Sequence, residues 1–106
     1  MVKRGEVWLA TLDPTRGVEI RKTRPCLVVS PPEMNAHLRT AIVAPMTRGS
    51  QPAPFRVPVT FASKNGLILL DQIRTLDQRR LVKRLGTVGS KTLDSTLATL
   101  AEIFAP

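Results

Sequence analysis

Between Asp13 and Pro25 the chain reads Asp-Pro-Thr-Arg-Gly-Val-Glu-Ile-Arg-Lys-Thr-Arg-Pro. Glu19, Arg21, Lys22 and Arg24 crowd together here, with no apolar periodicity to explain them. A bland hairpin connection is shorter, and long polar connections are where binding and catalytic groups concentrate. Pro25 restricts the residue before it, so Arg24 projects from a defined origin where loop becomes strand. Cations gathered in this way suit a polyanion. Arg79-Arg80 and Lys83-Arg84 form a second, denser basic cluster. It reads first as a solvated face of turn and strand that needs no function, and otherwise as part of a phosphate track.

Other groups with reactive side chains lack a supporting pattern. Cys26 lies in a β-prone apolar run, where a free thiol behaves as a small buried hydrophobe rather than a nucleophile paired with His37. His37 alone reads as a surface loop residue. Gly86-Thr-Val-Gly-Ser-Lys-Thr92 resembles a phosphate loop at a glance, but its glycines are three apart and Ser90 separates the second from Lys91. A strand-to-helix turn accounts for it. Trp8 reads as core rather than as a stacking platform. With no tyrosine, and only Phe55, Phe61 and Phe104 besides, the chain lacks the aromatic interleaving of stacking-type RNA binders.

A chain of 106 residues has room for one domain, spanning 1–106, with one core. Sixteen Lys and Arg face eight Asp and Glu, a formal charge of +8, which favours nucleic acid or an anionic surface as partner. The apolar runs Ala41 to Met46 and Leu67 to Leu70 are far too short to span a bilayer. Glu6 and Asp13 interrupt any signal-peptide segment after Met1-Val2-Lys3-Arg4, so a cytoplasmic protein is expected. A single cysteine excludes an intrachain disulfide, and one Cys with one His cannot build a four-ligand zinc site within the chain.

The elements that position these groups are short and punctuated by Pro and Gly. Strands are expected over Glu6 to Leu12, Pro25 to Ser30, Thr40 to Met46, Phe55 to Phe61, Leu67 to Ile73 and Leu81 to Val88. Asp13-Pro14, Pro31-Pro32 and Gly49 to Pro54 close segments, and Asn65-Gly66 signals a hairpin turn. Phe55, Val57, Val59 and Phe61 alternate with Arg56, Pro58 and Thr60, and Pro58 argues for an edge strand. Leu81, Lys83, Leu85 and Thr87 share one face of the last strand, and Thr75 to Arg80 suits a turn of helix. Leu93, Leu97, Leu100, Ala101 and Phe104 form one helical stripe, with Ser90 as N-cap and Asp94 near the positive end. The expected fold is mainly β, a small, strongly bent sheet or barrel with a C-terminal helix packed on it.

Several pieces in order are similar to a known family. Arg4-Gly-Glu-Val-Trp8, Asp13-Pro-Thr-Arg-Gly-Val-Glu19 and Arg24-Pro-Cys-Leu-Val-Val-Ser-Pro31 resemble the opening of the MazF/PemK/Kid toxins. Ala41-Ile-Val-Ala-Pro-Met-Thr47 and Gly66-Leu-Ile-Leu-Leu-Asp-Gln-Ile-Arg-Thr-Leu-Asp77 continue the likeness across essentially the whole chain. The resemblance implies an SH3-like barrel of the CcdB/PemK type with a C-terminal α-helix, assembled as a homodimer. It implies a toxin of a bacterial toxin–antitoxin pair, an endoribonuclease that cuts single-stranded RNA without metal or other cofactor. An acidic cognate antitoxin is implied as partner, with operator DNA contacted only through the antitoxin complex.

The family's active arginine falls on Arg24, its active threonine on Thr47 and the glutamate of its first loop on Glu19. The Kid branch has a histidine where this chain has Val18 and an arginine where it has Leu69, so the MazF-like set is followed. Asp71, whose position is implicated in catalysis in the Kid branch, becomes a supporting residue. Arg21, Lys22, Arg48, Asp71 and Gln72 are the expected RNA contacts. The chemistry fits in outline. RNA supplies its own nucleophile, the 2′-hydroxyl, and in-line attack leaves a 2′,3′-cyclic phosphate and a 5′-hydroxyl. Arg24 and the Thr47 hydroxyl stabilise charge on the phosphoryl oxygens. Glu19 either orients Arg24 or accepts the 2′-hydroxyl proton, and no residue is assigned as general acid. Two other functions suit the same architecture: a toxin that poisons a protein such as DNA gyrase, and a basic barrel that binds RNA without cutting it.

Overall fold

The computed structural model describes residues 1–12, 17, 19 and 22–106. Seven strands run in chain order as β1 (Glu6–Thr11), β2 (Thr23–Val28), β3 (Thr40–Thr47), β4 (Arg56–Phe61), β5 (Lys64–Leu69), β6 (Arg74–Asp77) and β7 (Leu81–Thr87). Helix α1 (Pro32–His37) follows β2, and α2 (Ser90–Phe104) follows β7. The strands form one antiparallel sheet in the order β4-β5-β3-β2-β1-β7, with β6 paired to β3 beside that path. No helix among the described residues is long and apolar enough to cross a membrane.

Strands β1 to β3 bury both faces, which is why Leu27 to Val29 and Ala41 to Met46 read as continuous apolar runs rather than alternating ones. Ala10, Cys26, Val28, Ala41 and Val43 enter one core with Leu76 and Leu81. Val7, Leu27, Ala44 and Met46 enter a second with Val57, Val59, Ile68 and Leu100. Two register slips between β1 and β7, at Val7/Trp8 and Leu9/Ala10, add twist, as bulges do. The sheet curls into a half-barrel until its edge strands approach, and a Cβ on Gly86 of β7 would stand 3.2 Å from the Phe61 ring of β4.

On the open edge of β3 the strand has two partners in succession. Thr40 to Val43 pair with β6, and Met46 and Thr47 pair with β5. Pro45 falls in the gap between them, where the missing N–H breaks no ladder on that edge. The chain passes from β5 to β6 through a 3-10 turn, Leu70–Gln72. The expected strand Leu67 to Ile73 is therefore shorter, and the helical turn expected over Thr75 to Arg80 is confined to Gln78–Arg80. β6 is an added strand, because its pairing partner lies some thirty residues earlier in the chain and no local signal marks it.

Other expectations are corrected for identifiable reasons. The β4–β5 turn is not Asn65-Gly66 but Ala62-Ser63, which adopt φ of 52° and 64° between the paired Phe61 and Lys64. Gly66 serves a different purpose, since a Cβ there would lie 2.8 Å from the Thr47 carbonyl oxygen. Pro31-Pro32 starts a helix rather than simply closing a strand, with Pro32 at the first helical position, where it loses no bond. Gly89, not Ser90, is the N-cap of α2. Leu93, Leu97 and Leu100 are half-buried, whereas Ala101 and Phe104 are exposed, and Thr96 is the fully buried residue. Its hydroxyl donates to the Thr92 carbonyl at 2.8 Å. On β7 only Leu81 is buried of the four residues expected to share a face. Pro58 does lie on an edge strand, as its position argued.

Trp8 is half-buried against the first core, and its indole N–H donates to Glu6 Oε1 at 3.1 Å. Glu6 is itself buried and also accepts from the Lys3 backbone N–H at 2.7 Å and from Arg84 Nε at 2.7 Å. Burial pushes its carboxyl up, but the bonds from Arg84, Lys3 and Trp8 outweigh that and hold it below the ordinary value of 4.5. The folded state then binds the proton less readily than the unfolded one. Glu6 contributes its full stabilisation above that ordinary value and loses it as pH falls through the folded one. Glu6→Gln is expected to flatten the acid dependence of the urea-unfolding midpoint, and to cost about 1–3 kcal/mol at neutral pH by disrupting the buried hydrogen bonds. An acid slope equal to that of the wild type would show that Glu6 does not carry it. At the hairpin, replacing Ala62-Ser63 by Asn-Gly suits two left-handed positions. It is expected to raise stability by about 1 kcal/mol in the same assay.

Candidate active site

The β1–β2 register ends at Thr11 opposite Thr23, and the Leu12 N–H donates to the Lys22 carbonyl at 2.8 Å. This closes the base of the loop and starts β2 from a fixed point, with Lys22 in the left-handed region at φ 66°. Arg24 follows two residues later, exposed, opposite Ala10 on β1. Cys26, Leu27 and Val28 pair with Pro45, Ala44 and Val43. Carried two residues further, that register sets Arg24 across from Thr47. Both residues then line one cleft of about 380 Å³ together with Arg48, Lys64, Gly66 and Leu85.

The cleft's charge is one-sided. Arg24, Arg48 and Lys64 line it, and no acidic side chain does so among the described residues. The Arg24 guanidinium has no hydrogen-bond or ion-pair partner among the described residues. The Thr47 hydroxyl accepts from the Gly49 N–H at 3.4 Å and still has its own proton to donate. The bare backbone of Gly66 lets β5 lie close enough to Thr47 for this wall to form. Chemically, cations and a hydroxyl donor lining one cleft suit an anion.

Beside it on β3, where Pro45 marks the change of partner, lies a second cleft of about 420 Å³. Glu19, Asp71, Gln72, Arg56 and Arg74 line it, so acceptors and cations are mixed. Arg56 grips Asp71 through two bonds, Nε to Oδ1 at 3.1 Å and Nη2 to Oδ2 at 3.0 Å. The guanidinium holds the Asp71 carboxyl below the ordinary carboxylate range. Asp71 is thus an ionised acceptor at neutral pH and a poor proton donor.

The structure brings Arg24, Thr47 and Arg48 together, and separately brings together Glu19, Asp71 and Gln72. Glu19 lines the neighbouring cleft rather than that of Arg24. Lys22 is exposed at the loop base. Arg21 lies outside the described residues, as do the Asp13-Pro14 turn signal and Val18. Arg56, Arg74 and Lys64 were missed. Arg56 read as a residue on the outer face of an edge strand, and nothing local links it to Asp71 until the pairing of Arg56 with Leu69 is known. Cys26 and His37 form no site. Cys26 is fully buried, with its thiol pushed up to about 12 by burial, and His37 is exposed at the end of α1. Among the described residues no three His, Cys, Asp or Glu side chains gather as metal ligands would.

Comparison with known proteins gives one answer. Residues 3–104 match the family model of the PemK-like, MazF-like toxin of type II toxin–antitoxin systems. The chain is 37% identical to Endoribonuclease PemK of Escherichia coli over 108 residues, covering 96% of this chain and 81% of that protein. It superimposes on the crystal structure of MazF from Deinococcus radiodurans with a TM-score of 0.84 at 25% identity, covering 96% and 94% of the two chains. A MazE–MazF structure from the same organism matches with a TM-score of 0.73 at 27% identity, covering 96% and 94%. An ordered set of sequence pieces, a curled sheet with a terminal helix and a match over nearly the whole length all agree: the chain belongs to the family of PemK-like, MazF-like toxins of type II toxin–antitoxin systems.

Proposed function

We propose that the chain is a sequence-specific, metal-independent endoribonuclease that cuts single-stranded RNA, mRNA foremost, as the toxin of a toxin–antitoxin pair. The observation that carries this reading is the cationic cleft in which Arg24 and Thr47 meet, in a chain whose relatives are named endoribonucleases. A phosphodiester is the anion that fits. The RNA 2′-hydroxyl attacks the adjacent phosphorus, the P–O5′ bond breaks, and a 2′,3′-cyclic phosphate and a 5′-hydroxyl remain. Negative charge accumulates on the phosphoryl oxygens in the transition state. Arg24 donates to them as a fixed, permanently charged fork, and Thr47 donates a further hydrogen bond. The reaction needs no metal-bound water because the nucleophile comes with the substrate.

The mixed cleft suits the flanking nucleotide. Ionised Asp71, the Gln72 amide and Glu19 offer acceptors and donors for base edges and sugar hydroxyls. Of the two roles open to Glu19, its place among these residues favours that of an acceptor on the substrate side. Arg21, Lys22 and Arg48 track phosphates. In the cell the active form is a homodimer that arrests growth by destroying message, and an acidic antitoxin segment competes with RNA for the same basic surface. Operator DNA is reached only through the antitoxin complex.

Incubating the purified chain with a long single-stranded RNA in excess EDTA, and mapping ends by primer extension, tests the proposal. Discrete cuts at one repeated short sequence are expected. Arg24→Ala is expected to lower the rate by about 10²–10³-fold or more, and Thr47→Ala by a similar order, both without loss of folding because neither side chain is buried. Retained cleavage in a folded Arg24→Ala variant, or intact RNA with the wild-type chain, would overturn the assignment. Arg48→Ala is expected to weaken RNA binding across sequences. It should also reduce the slope of log K against log salt by about 0.7, the share of one phosphate contact to a single strand.

A further inference from the structure

Arg56 opens β4 at the mouth of the second cleft, and every nitrogen of its guanidinium has a partner. Nε and Nη2 hold the two oxygens of Asp71 in the turn between β5 and β6. Nη1 donates to the Gln51 carbonyl at 3.0 Å, in the loop that leaves Thr47 and carries Arg48. The Arg56 backbone N–H donates to the Ala53 carbonyl of that same loop at 2.9 Å. The guanidinium carbon also lies 5.8 Å from the centre of the Phe55 ring. The loop from 48 to 55 contains Gly49, Pro52 and Pro54 and forms no regular element, so it has no ladder to hold its shape. One residue thus joins the loop beside the catalytic cleft to the turn that lines the neighbouring one.

We infer that Arg56 is a positioning residue that locks the 48–55 loop to the Leu70–Gln72 turn, so that the Arg24–Thr47–Arg48 cleft and the Asp71–Gln72 cleft engage RNA in one register. The inference rests on the ribonuclease reading above. Stability alone is a weak reason for such a pair, because the two side chains remain 20% and 30% exposed and pairs in that setting contribute little. Orientation is a better one. A planar fork with a third donor fixes a carboxylate and a carbonyl at once, whereas a lysine ammonium offers one compact point charge. The register matters chemically because small misplacement of a bound phosphodiester relative to its stabilising groups is costly in rate. It matters for sequence preference because the nucleotide beside the cut is the one presented to Asp71 and Gln72.

The test compares wild type with Arg56→Ala, Arg56→Lys and the double variant Arg56→Ala/Asp71→Asn. The readouts are kcat and KM on an oligonucleotide containing the cut sequence, the cut-site profile on a long RNA, thermal unfolding, and amide hydrogen exchange of residues 48–55. Arg56→Ala is expected to unfold within a few degrees of wild type. Its loop should exchange faster, its kcat/KM should fall about tenfold or more, and its cuts should spread to sequences that the wild type refuses. Arg56→Lys is expected to recover thermal stability more fully than the cut-site profile. In the double variant the loop should exchange little faster than in Arg56→Ala, since both changes break one linkage. Wild-type kcat, KM and cut-site profile in folded Arg56→Ala would overturn the inference, as would unchanged exchange of the loop. If Arg56→Ala fails to fold, a wild-type profile in Arg56→Lys overturns it instead. A wild-type chain that cuts no RNA would overturn the ribonuclease reading and the positioning role together, while loop exchange would still judge the clamp itself.

Discussion

Strand β3 has to satisfy two neighbours in turn along one edge, and the rest of the molecule is arranged around that requirement. β6 takes its first half and β5 its second, with a proline at the handover. A residue with an N–H at position 45 would present a donor with no ladder to enter on that side. Proline removes the donor and so lets the sheet change partner inside its core. The geometric consequence is a gap, and the gap is the second cleft. The end of β3, now paired with β5 and lying against the bare backbone of Gly66, becomes the wall that carries Thr47. One break in hydrogen bonding therefore sets two adjoining clefts on a single strand.

Charge is distributed to match. Among the described residues Glu6 pairs with Arg84, Asp71 with Arg56 and Asp77 with Arg79. Each neutralises a cation in place, and the first two also tie distant elements together. Arg24, Arg48 and Lys64 receive no such partner among the described residues and face a common cleft. The excess of +8 is thus not a uniform coat. Part of it is concentrated where a polyanion can use it, which is the physical content of the charge balance for a chain in a family of toxins whose relatives act on RNA.

Much of the fold was legible because burial imposes periodicity. The continuous apolar runs of β2 and β3, the alternation of β4 and the edge placement of Pro58 follow directly from which faces meet water. The misreadings share one cause, which is tertiary pairing overriding a local preference. Asn65-Gly66 has the chemistry of a tight turn, yet the register of β4 with β5 places the turn three residues earlier on Ala62-Ser63. The Leu67 to Ile73 run has no internal stop signal, and only the switch of partner on β3 divides it. The α2 stripe is helical throughout, but its burial stops short of Phe104, which is left 71% exposed. Candidate site residues divided in the same way: Arg24 stood out in its loop and Thr47 came through the family resemblance, whereas Arg56 could not be named from the chain.

The amino-acid sequence by itself determined the mainly β character with a terminal helix and the family, and its charge favoured a polyanion, because charge, hydrophobic period and ordered motifs are all local or additive properties. Tertiary structure alone decided which groups share a cleft. Arg24 and Thr47 are twenty-three residues apart in the chain, and Arg56 and Asp71 fifteen. Strand register converts such separations into contact, and register is set by the whole sheet: a slip of one residue would turn every side chain of a strand to the opposite face.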